Sequence, residues 1–409
     1  MKAMTVYFVA GEVSADNHGA ALMRSLRKLD PGLTFIGRGG PQMQEVAGKS
    51  AIGRIRGDGQ FKNWLGDAAV LGLWEVLRKY GYFREQFRET LKEVLESKPD
   101  AVVLIDYPGF NLRLARALSA SAKATADKLK IIYYISPQVW AWNRGRIKRM
   151  ARCVDLVLCI FPFESDLYNK SGLRAAFVGH PMIERLQARK IDAERDPNLI
   201  GLFPGSRLRE VRKIFPVMLE TARLLLQSKP TLHFQVAAAS EELAQEISAL
   251  TATLGQLEDR KLIQIKVGET ATLMQRAWAG MVASGSATLE AAYFRMPFVL
   301  MYKVAWPTYL AARLVINVEY LGMPNLLAGR ELVPEFIQHR AEPGAIAEAV
   351  RLLMEDVQAR EQMISEFDVV IGKLGTGRAS EKAAQVIIQE LKSRHVGTDR
   401  RGDLEIALP

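Results

Sequence analysis

Cysteine and histidine are scarce in this chain. Cys153 and Cys159 are the only thiols among 409 residues, and the five histidines are scattered. Two thiols cannot staple a chain of this length, so a disulfide framework is excluded and a reducing compartment is indicated. Their spacing fits no zinc pattern and no His-Glu-x-x-His pair occurs, so no metal site is expected. Both cysteines fall in or beside the apolar run from Val154 to Phe161, which points to buried thiols.

Other absences are as informative. No stretch approaches the roughly 20 apolar residues of a membrane span. The apolar start before Glu12 is too short for a signal-peptide core and reads as a first strand. The expected location is therefore the cytoplasm, or the periphery of a membrane at its cytoplasmic face. Gly-x-Gly-x-x-Gly spacing and the Walker lysine are both missing, which argues against a dinucleotide cofactor and against a nucleoside triphosphatase. No Asp-x-Asp occurs, so a metal-bridged diphosphate is not indicated. No cofactor is expected.

What is present is a globular composition, 49% hydrophobic and 24% charged, long enough for two domains. The net charge of +10 implies an anionic partner without choosing among nucleic acid, lipid and phosphorylated small molecules. Short apolar runs ending in small residues alternate with helical periodicity. Strands are expected at Thr5–Ala10, Ala101–Asp106, Ile131–Ser136, Val154–Ile160 and Ala176–Val178. After a charged stretch, Gln187 to Pro197, the pattern restarts with Leu199–Phe203, His233–Ala238, Leu262–Val267, Gly280–Ala283 and Phe298–Met301. Near-continuous apolar strands alternating with helices indicate an α/β fold of two doubly wound parallel sheets, each covered on both faces. The expected divisions are residues 1–190, residues 196–380, and a C-terminal helix and tail over 381–409. Such sheets bind ligands beyond the carboxyl ends of their strands, so the loops there carry the candidates.

In the first half, Gly11-Glu-Val-Ser-Ala-Asp16 follows the first strand; it suits an anion or sugar at a helix start, or a cap made by Ser14 or Asp16, and the residues leave both open. Asp106 ends a buried strand and is followed by Tyr107-Pro-Gly-Phe-Asn111. A carboxylate there is costly to desolvate unless it is paired or acts on a substrate. Trp140 and Trp142 share the next loop, ahead of Arg144, Arg146, Lys148, Arg149 and Arg152. These basic residues suit a solvated helix face, nucleic acid or an anionic membrane.

In the second half, Pro204-Gly205-Ser206-Arg207 sets free amides, a hydroxyl and a guanidinium around one point, as a phosphate or diphosphate requires. Ser284-Gly285-Ser286-Ala-Thr288-Leu-Glu290 is a second such turn, with Glu290 placed to accept ribose hydroxyls or to close a capping box. Between residues 64 and 84 an apolar, aromatic and basic segment aligns Leu73, Val76, Leu77 and Tyr80 at helical spacing, with Trp74 beside them. That is a core stripe by default, and a membrane-interface helix when the flanking basic residues are counted.

Taken in order, these segments resemble the lipid-A-disaccharide synthase family from Val9 to about Val350. To them are added Phe161-Pro-Phe-Glu164, Val178-Gly-His-Pro181 and Leu321-Gly-Met-Pro-Asn325 through Leu332. The resemblance implies a GT-B architecture, two Rossmann-like domains facing across a cleft, with an acceptor and membrane side first and the nucleotide sugar held by the second. It implies an inverting transfer from a UDP-diacylglucosamine donor to a diacylglucosamine phosphate acceptor, with no nucleic acid partner. Asp106 matches the family's essential aspartate, with Asp16 in reserve as base; Arg207 matches its essential arginine. Glu290 and Asn325 match residues of the nucleotide site, and Leu73, Trp74, Val76 and Leu77 its membrane-facing patch. Family dimers exchange C-terminal elements, so a homodimer is an expectation. Ala15, Asn17-His18 and Gly109 depart from the family pattern, Gly109 standing where an aspartate is common. The rival readings are a UDP-N-acetylglucosamine 2-epimerase and a non-catalytic binder of lipid or nucleic acid.

Overall fold

The structure, a computed structural model, describes residues 4–48, 61–65, 80–125, 129–142, 145–252, 263–306, 309 and 318–393. The chain divides into two compact units. One comprises Met1–Val139, Arg144–Pro181 and Arg378–Pro409; the other comprises Trp140–Asn143 and Met182–Gly377.

The first unit is built on a parallel sheet of β1 (Thr5–Ala10), β2 (Thr34–Gly39), β3 (Phe61–Asn63), β4 (Ala101–Ile105), β5 (Lys130–Tyr134), β6 (Leu156–Cys159) and β7 (Ala175–Phe177), in the order β3-β2-β1-β4-β5-β6-β7. Alternation along its strands shows why both faces are covered. Val6, Phe8 and Ala10 of β1 join Val103 and Ile105 of β4 in one core. Tyr7 and Val9 join Val102 and Leu104 in the other. The chain winds outward in both directions from the β1/β4 pair, which is the switch point of this sheet. Ala10 lies opposite Ile105, so the loops leaving both strands emerge side by side.

The second unit repeats the plan with β8 (Asp196–Phe203), β9 (His233–Ala238), β10 (Ile263–Val267), β11 (Ala277–Ala283), β12 (Phe298–Tyr302) and β13 (Glu335–Ile337). Their order is β10-β9-β8-β11-β12-β13, again parallel. Its switch point is β8/β11, where Phe203 pairs with Val282. The helix Leu208–Ser228 covers this sheet because Val211, Ile214, Phe215, Met218, Leu219, Ala222 and Leu225 recur every three or four residues and are all buried.

Two features differ from the sequence reading. Strands β2, β3 and β13 carry no continuous apolar run. In β2 a wholly buried Arg38 interrupts it, held by Glu93 (2.8 and 3.1 Å), Glu89 (3.0 Å) and Gln86 of the helix Tyr80–Ser97. Second, the last helix, Ala379–Ser393, belongs to the first unit instead of standing apart. Its apolar face (Ala383, Ala384, Ile387, Ile388, Leu391) completes the core under the helix Val13–Leu29, and Glu390 takes Lys130 at 2.9 Å and Arg174 at 3.0 Å. A stripe of that kind is stable only when buried. Both cysteines are buried and free. Among the described residues no helix is long and apolar enough to cross a membrane.

Candidate functional site

At the switch point of the first unit, β4 delivers Asp106 into a backbone conformation that few residues accept. Asp106 and Tyr107 both have positive φ, 46° and 48°, before the helix Pro108–Thr125 begins. Such residues cost about 1–3 kcal/mol each and persist only where the surroundings hold them. Here the Asp106 N–H donates to the Tyr134 carbonyl (3.0 Å). The Asp106 carbonyl accepts from the Tyr133 hydroxyl (2.6 Å) and from Asn111 Nδ2 (2.8 Å). Pro108 therefore starts a helix, and Asn111, fully buried, locks the strained pair from one turn inside it.

This clamp leaves the Asp106 carboxyl for chemistry. Burial, and then the negative charge of Glu12, push its pKa up from 3.8 to about 6; a hydrogen bond from the Tyr107 N–H opposes them. Glu12 is the residue before the helix Val13–Leu29, in the loop that leaves β1. Register between β1 and β4 brings the two carboxylates within each other's field, and a carboxylate near neutral pH is suited to take up a proton.

Asp16 has a different task. It is 2% exposed, and its oxygens accept from the backbone N–H groups of Gly40 (2.8 Å), Gln42 (3.0 Å) and Met43 (3.0 Å). It caps the helix Pro41–Gly48, which begins 25 residues further along the chain, and has no access to a substrate. The reserve role as base is therefore withdrawn: a carboxylate holding three amides is spent.

In the second unit the two small-residue turns lie side by side because they leave β8 and β11. Pro204 is buried, while Ser206 and Arg207 are exposed. Gly205 has φ 111°, and a Cβ there would fall 2.7 Å from Glu210 Oε2, so the turn requires glycine. Arg207 precedes the helix Leu208–Ser228 and pairs with Glu210 at 2.9 Å, with its guanidinium otherwise in solvent. Across the switch point Gly285 precedes the helix Ser286–Tyr293, and Gly285 and Ser286 are exposed beside a half-buried Ser284. Two helix starts and one arginine thus face one edge of the sheet, a setting for a diphosphate.

Three neighbouring residues are committed to the protein. Thr288 is buried and donates to the Gly285 carbonyl at 2.8 Å, shaping the turn. Asn325 is wholly buried. Its Nδ2 donates to the Val333 carbonyl (2.8 Å) and Glu335 Oε1 (2.9 Å), while its Oδ1 accepts from Leu332 (2.9 Å) and Val333 (2.8 Å). With every polar atom engaged, it holds the loop from Leu321 to Glu335 and has nothing left for a nucleotide. Glu290 is 9% exposed and accepts from Arg185 at 2.7 Å, so it offers one oxygen and a paired charge. No capping box forms at Ser286.

Sequence reasoning missed Arg185 and Tyr302. Arg185 lies in the helix Pro181–Gln187, after the Val178-Gly-His-Pro181 motif that was its only signal. Tyr302 ends β12, one residue beyond the expected strand; its hydroxyl is raised by burial and by Glu210 and lowered by Arg207, which places it beside that pair. A cavity of about 760 Å³ opens along the helix Leu208–Ser228, lined by Lys213, Val217, Lys303, Trp306 and His339. The stripe Leu73, Trp74, Val76 and Leu77 lies outside the described residues, as do Arg144 and the Tyr80 and Trp142 side chains. Among the described residues no group of histidine, cysteine and carboxylate could hold a metal.

Comparison with known proteins places these loops in a family. Residues 6–388 match the family model described as lipid-A-disaccharide synthetase. Lipid-A-disaccharide synthase of Geobacter sulfurreducens is 36% identical over 394 residues, covering 94% of this chain and 97% of that one. The enzyme of Myxococcus xanthus is 34% identical over 395 residues, with the same coverage. Among solved structures, UDP-GlcNAc 2-epimerase from Neisseria meningitidis bound to UDP-GlcNAc has a TM-score of 0.58 at 13% identity, covering 95% of this chain and all of that one. The α,α-trehalose 6-phosphate synthase of Burkholderia multivorans scores 0.52 at 13% identity, covering 99% and 100%. At that identity the structural likeness establishes the fold alone, the GT-B pairing of Rossmann-like units.

Proposed function

Because this chain belongs to the lipid-A-disaccharide synthetase family, the glycosyltransferases of lipid A biosynthesis, we propose that it joins UDP-2,3-diacylglucosamine to 2,3-diacylglucosamine 1-phosphate with inversion. The acceptor's 6-hydroxyl oxygen bonds to the donor's anomeric carbon, the bond from that carbon to the diphosphate breaks, and the hydroxyl proton passes to Asp106. The products are the β-1,6-linked disaccharide 1-phosphate and UDP.

The observation that carries this reading is the clamped Asp106 carboxyl with its pKa near 6. At pH 7 roughly nine-tenths of it is ionised, yet it remains basic enough to take a proton as the bond forms. The first unit then serves the acceptor and the second the nucleotide sugar. In the second, Arg207, Ser206, Ser286 and the two helix starts receive the departing diphosphate. A UDP sugar in a GT-B neighbour supports that assignment. The enzyme meets both lipid substrates at an anionic membrane surface, as a peripheral protein held by the stripe around Leu73 and Trp74, and acts as a homodimer.

Purified protein is incubated with both acylated sugars, and UDP and a β-1,6 disaccharide are sought. Asp106→Asn and Arg207→Ala should each lower transfer by about 10² to 10⁴. Full activity in either variant removes that residue from the mechanism. Interconversion of UDP-N-acetylglucosamine without an acceptor would replace the transferase with an epimerase.

A further inference from the structure

A second basic site lies in the first unit, three residues beyond Asp106 along the chain. Gly109, Arg113 and Arg116 share one stripe of the helix Pro108–Thr125, at spacings of four and three. Arg146 and Arg149 share a stripe of the helix Gly145–Met150. All five line one cavity of about 240 Å³, and no carboxylate lines it. Among the described residues, the guanidinium groups of Arg113, Arg116 and Arg149 have no carboxylate partner, in contrast to Arg38, Arg174 and Arg185.

Like charges one helical turn apart repel, and two helices here present such pairs to each other. Burial, and then Arg149, hold the Arg146 guanidinium below its usual range. An anion removes the repulsion. The helix start adds its positive end, and a Cβ built on Gly109 meets nothing within 4 Å, so the backbone there is open to a ligand. The cavity is smaller than the roughly 300–1,000 Å³ of pockets that enclose a whole drug-sized ligand. It therefore suits a single anionic group, and planar guanidinium forks suit a phosphate.

We propose that this cavity receives the phosphomonoester of the acceptor, with Arg113, Arg116, Arg146 and Arg149 gripping the phosphate at one end of the sugar while the hydroxyl at the other end is brought to Asp106. The proposal rests on the acceptor assigned above. It makes the four arginines acceptor-specificity residues, distinct from the diphosphate loops of the second unit. A membrane phospholipid offers the same phosphate chemistry, so the test must separate the two.

The full chain is assayed with the acylated acceptor carrying its 1-phosphate and with the same acceptor after dephosphorylation. Arg113→Ala/Arg149→Ala is the test variant; both side chains are exposed, and a thermal melt at or above that of the parent shows that the fold is intact. On the phosphorylated acceptor the variant should lose about 10- to 100-fold in kcat/KM, as two charge-assisted contacts imply. It should equal the parent on the dephosphorylated acceptor and keep the donor KM. Glucosamine 1-phosphate should bind the parent, measured by calorimetry, and not the variant. Equal losses on both acceptors, or no loss, overturn the proposal. So does loss of co-sedimentation with phosphatidylglycerol vesicles at unchanged acceptor KM, which would assign the cluster to the membrane. If the parent forms no disaccharide with either acceptor, the transferase reading fails, and the calorimetry alone then decides the phosphate site.

Discussion

Gly11 and Tyr107 meet across the switch point of the first unit: a Cβ placed on Gly11 would lie 2.3 Å from Tyr107 Cδ1 and 2.6 Å from Cγ. The loop leaving β1 and the strained pair leaving β4 are thus in contact, with Glu12 and Asp106 on either side of it. Tyr107 cannot swing away freely, since its ring lies 6.0 Å from that of Phe110 and 6.3 Å from that of Trp64.

Gly11→Ala should therefore destabilise the protein by about 1–3 kcal/mol through overpacking, and lower transfer by moving Tyr107 and with it Asp106. Chemical denaturation and kcat read the two effects. Adding Tyr107→Ala should recover part of the stability; strict additivity of the two losses would show that the residues do not touch.

Asp106 works against the fold. Its pKa rises from 3.8 to about 6 on folding, so the folded state holds the proton more tightly, and stability falls as pH climbs through that window. Asp106→Asn removes the cost and keeps a residue that accepts positive φ. It should raise stability at pH 7 by up to about 3 kcal/mol while abolishing most transfer. The parent's kcat/KM should drop below about pH 6. Since Glu12 is the second cause of the shift, Glu12→Gln should move that limb to lower pH. A profile unchanged in this variant would detach Glu12 from the titration.

The buried Arg38 supplies stability in the opposite direction of charge. Burial alone would raise the Glu93 pKa, but hydrogen bonds from Arg38, Lys62 and Tyr7 outweigh it and hold the carboxyl at about 2 against its ordinary 4.5. Its contribution is complete above 4.5 and disappears as pH falls through about 2. Arg38→Ala should cost about 3–5 kcal/mol, because Glu93 and Glu89 lose a buried partner. In the variant the fall in melting temperature between about pH 4.5 and 2 should shrink, because Arg38 no longer holds the Glu93 carboxyl down.

Asn325 distinguishes support from contact. Its four internal hydrogen bonds join Leu332, Val333 and Glu335, so Asn325→Ala strands buried groups at roughly 1–3 kcal/mol each. A large loss of stability with UDP affinity retained in the folded fraction is expected. Weakened UDP binding with an unchanged melting temperature would return Asn325 to the nucleotide site.

Much of this protein is written in its one-dimensional pattern. Near-continuous apolar runs ending in small residues suffice to announce two parallel sheets, because strands buried on both faces are mostly apolar; β1 and β9 fall where the pattern sets them. The loops at strand ends, including Asp106 and Arg207, follow from the same logic. Three-dimensional packing decided what the pattern could not. Arg38 in β2 is tolerated only because Glu93 approaches from a helix 55 residues away. Asp16 and Asn325 look like ligand-binding residues in sequence, yet a backbone far along the chain, or the closure of a loop, consumes their polar atoms. The arginines of two separate helices become one site only when the sheet sets those helices side by side. A residue's chemistry is local, but whether any of its capacity remains for a substrate depends on partners that only folding brings near.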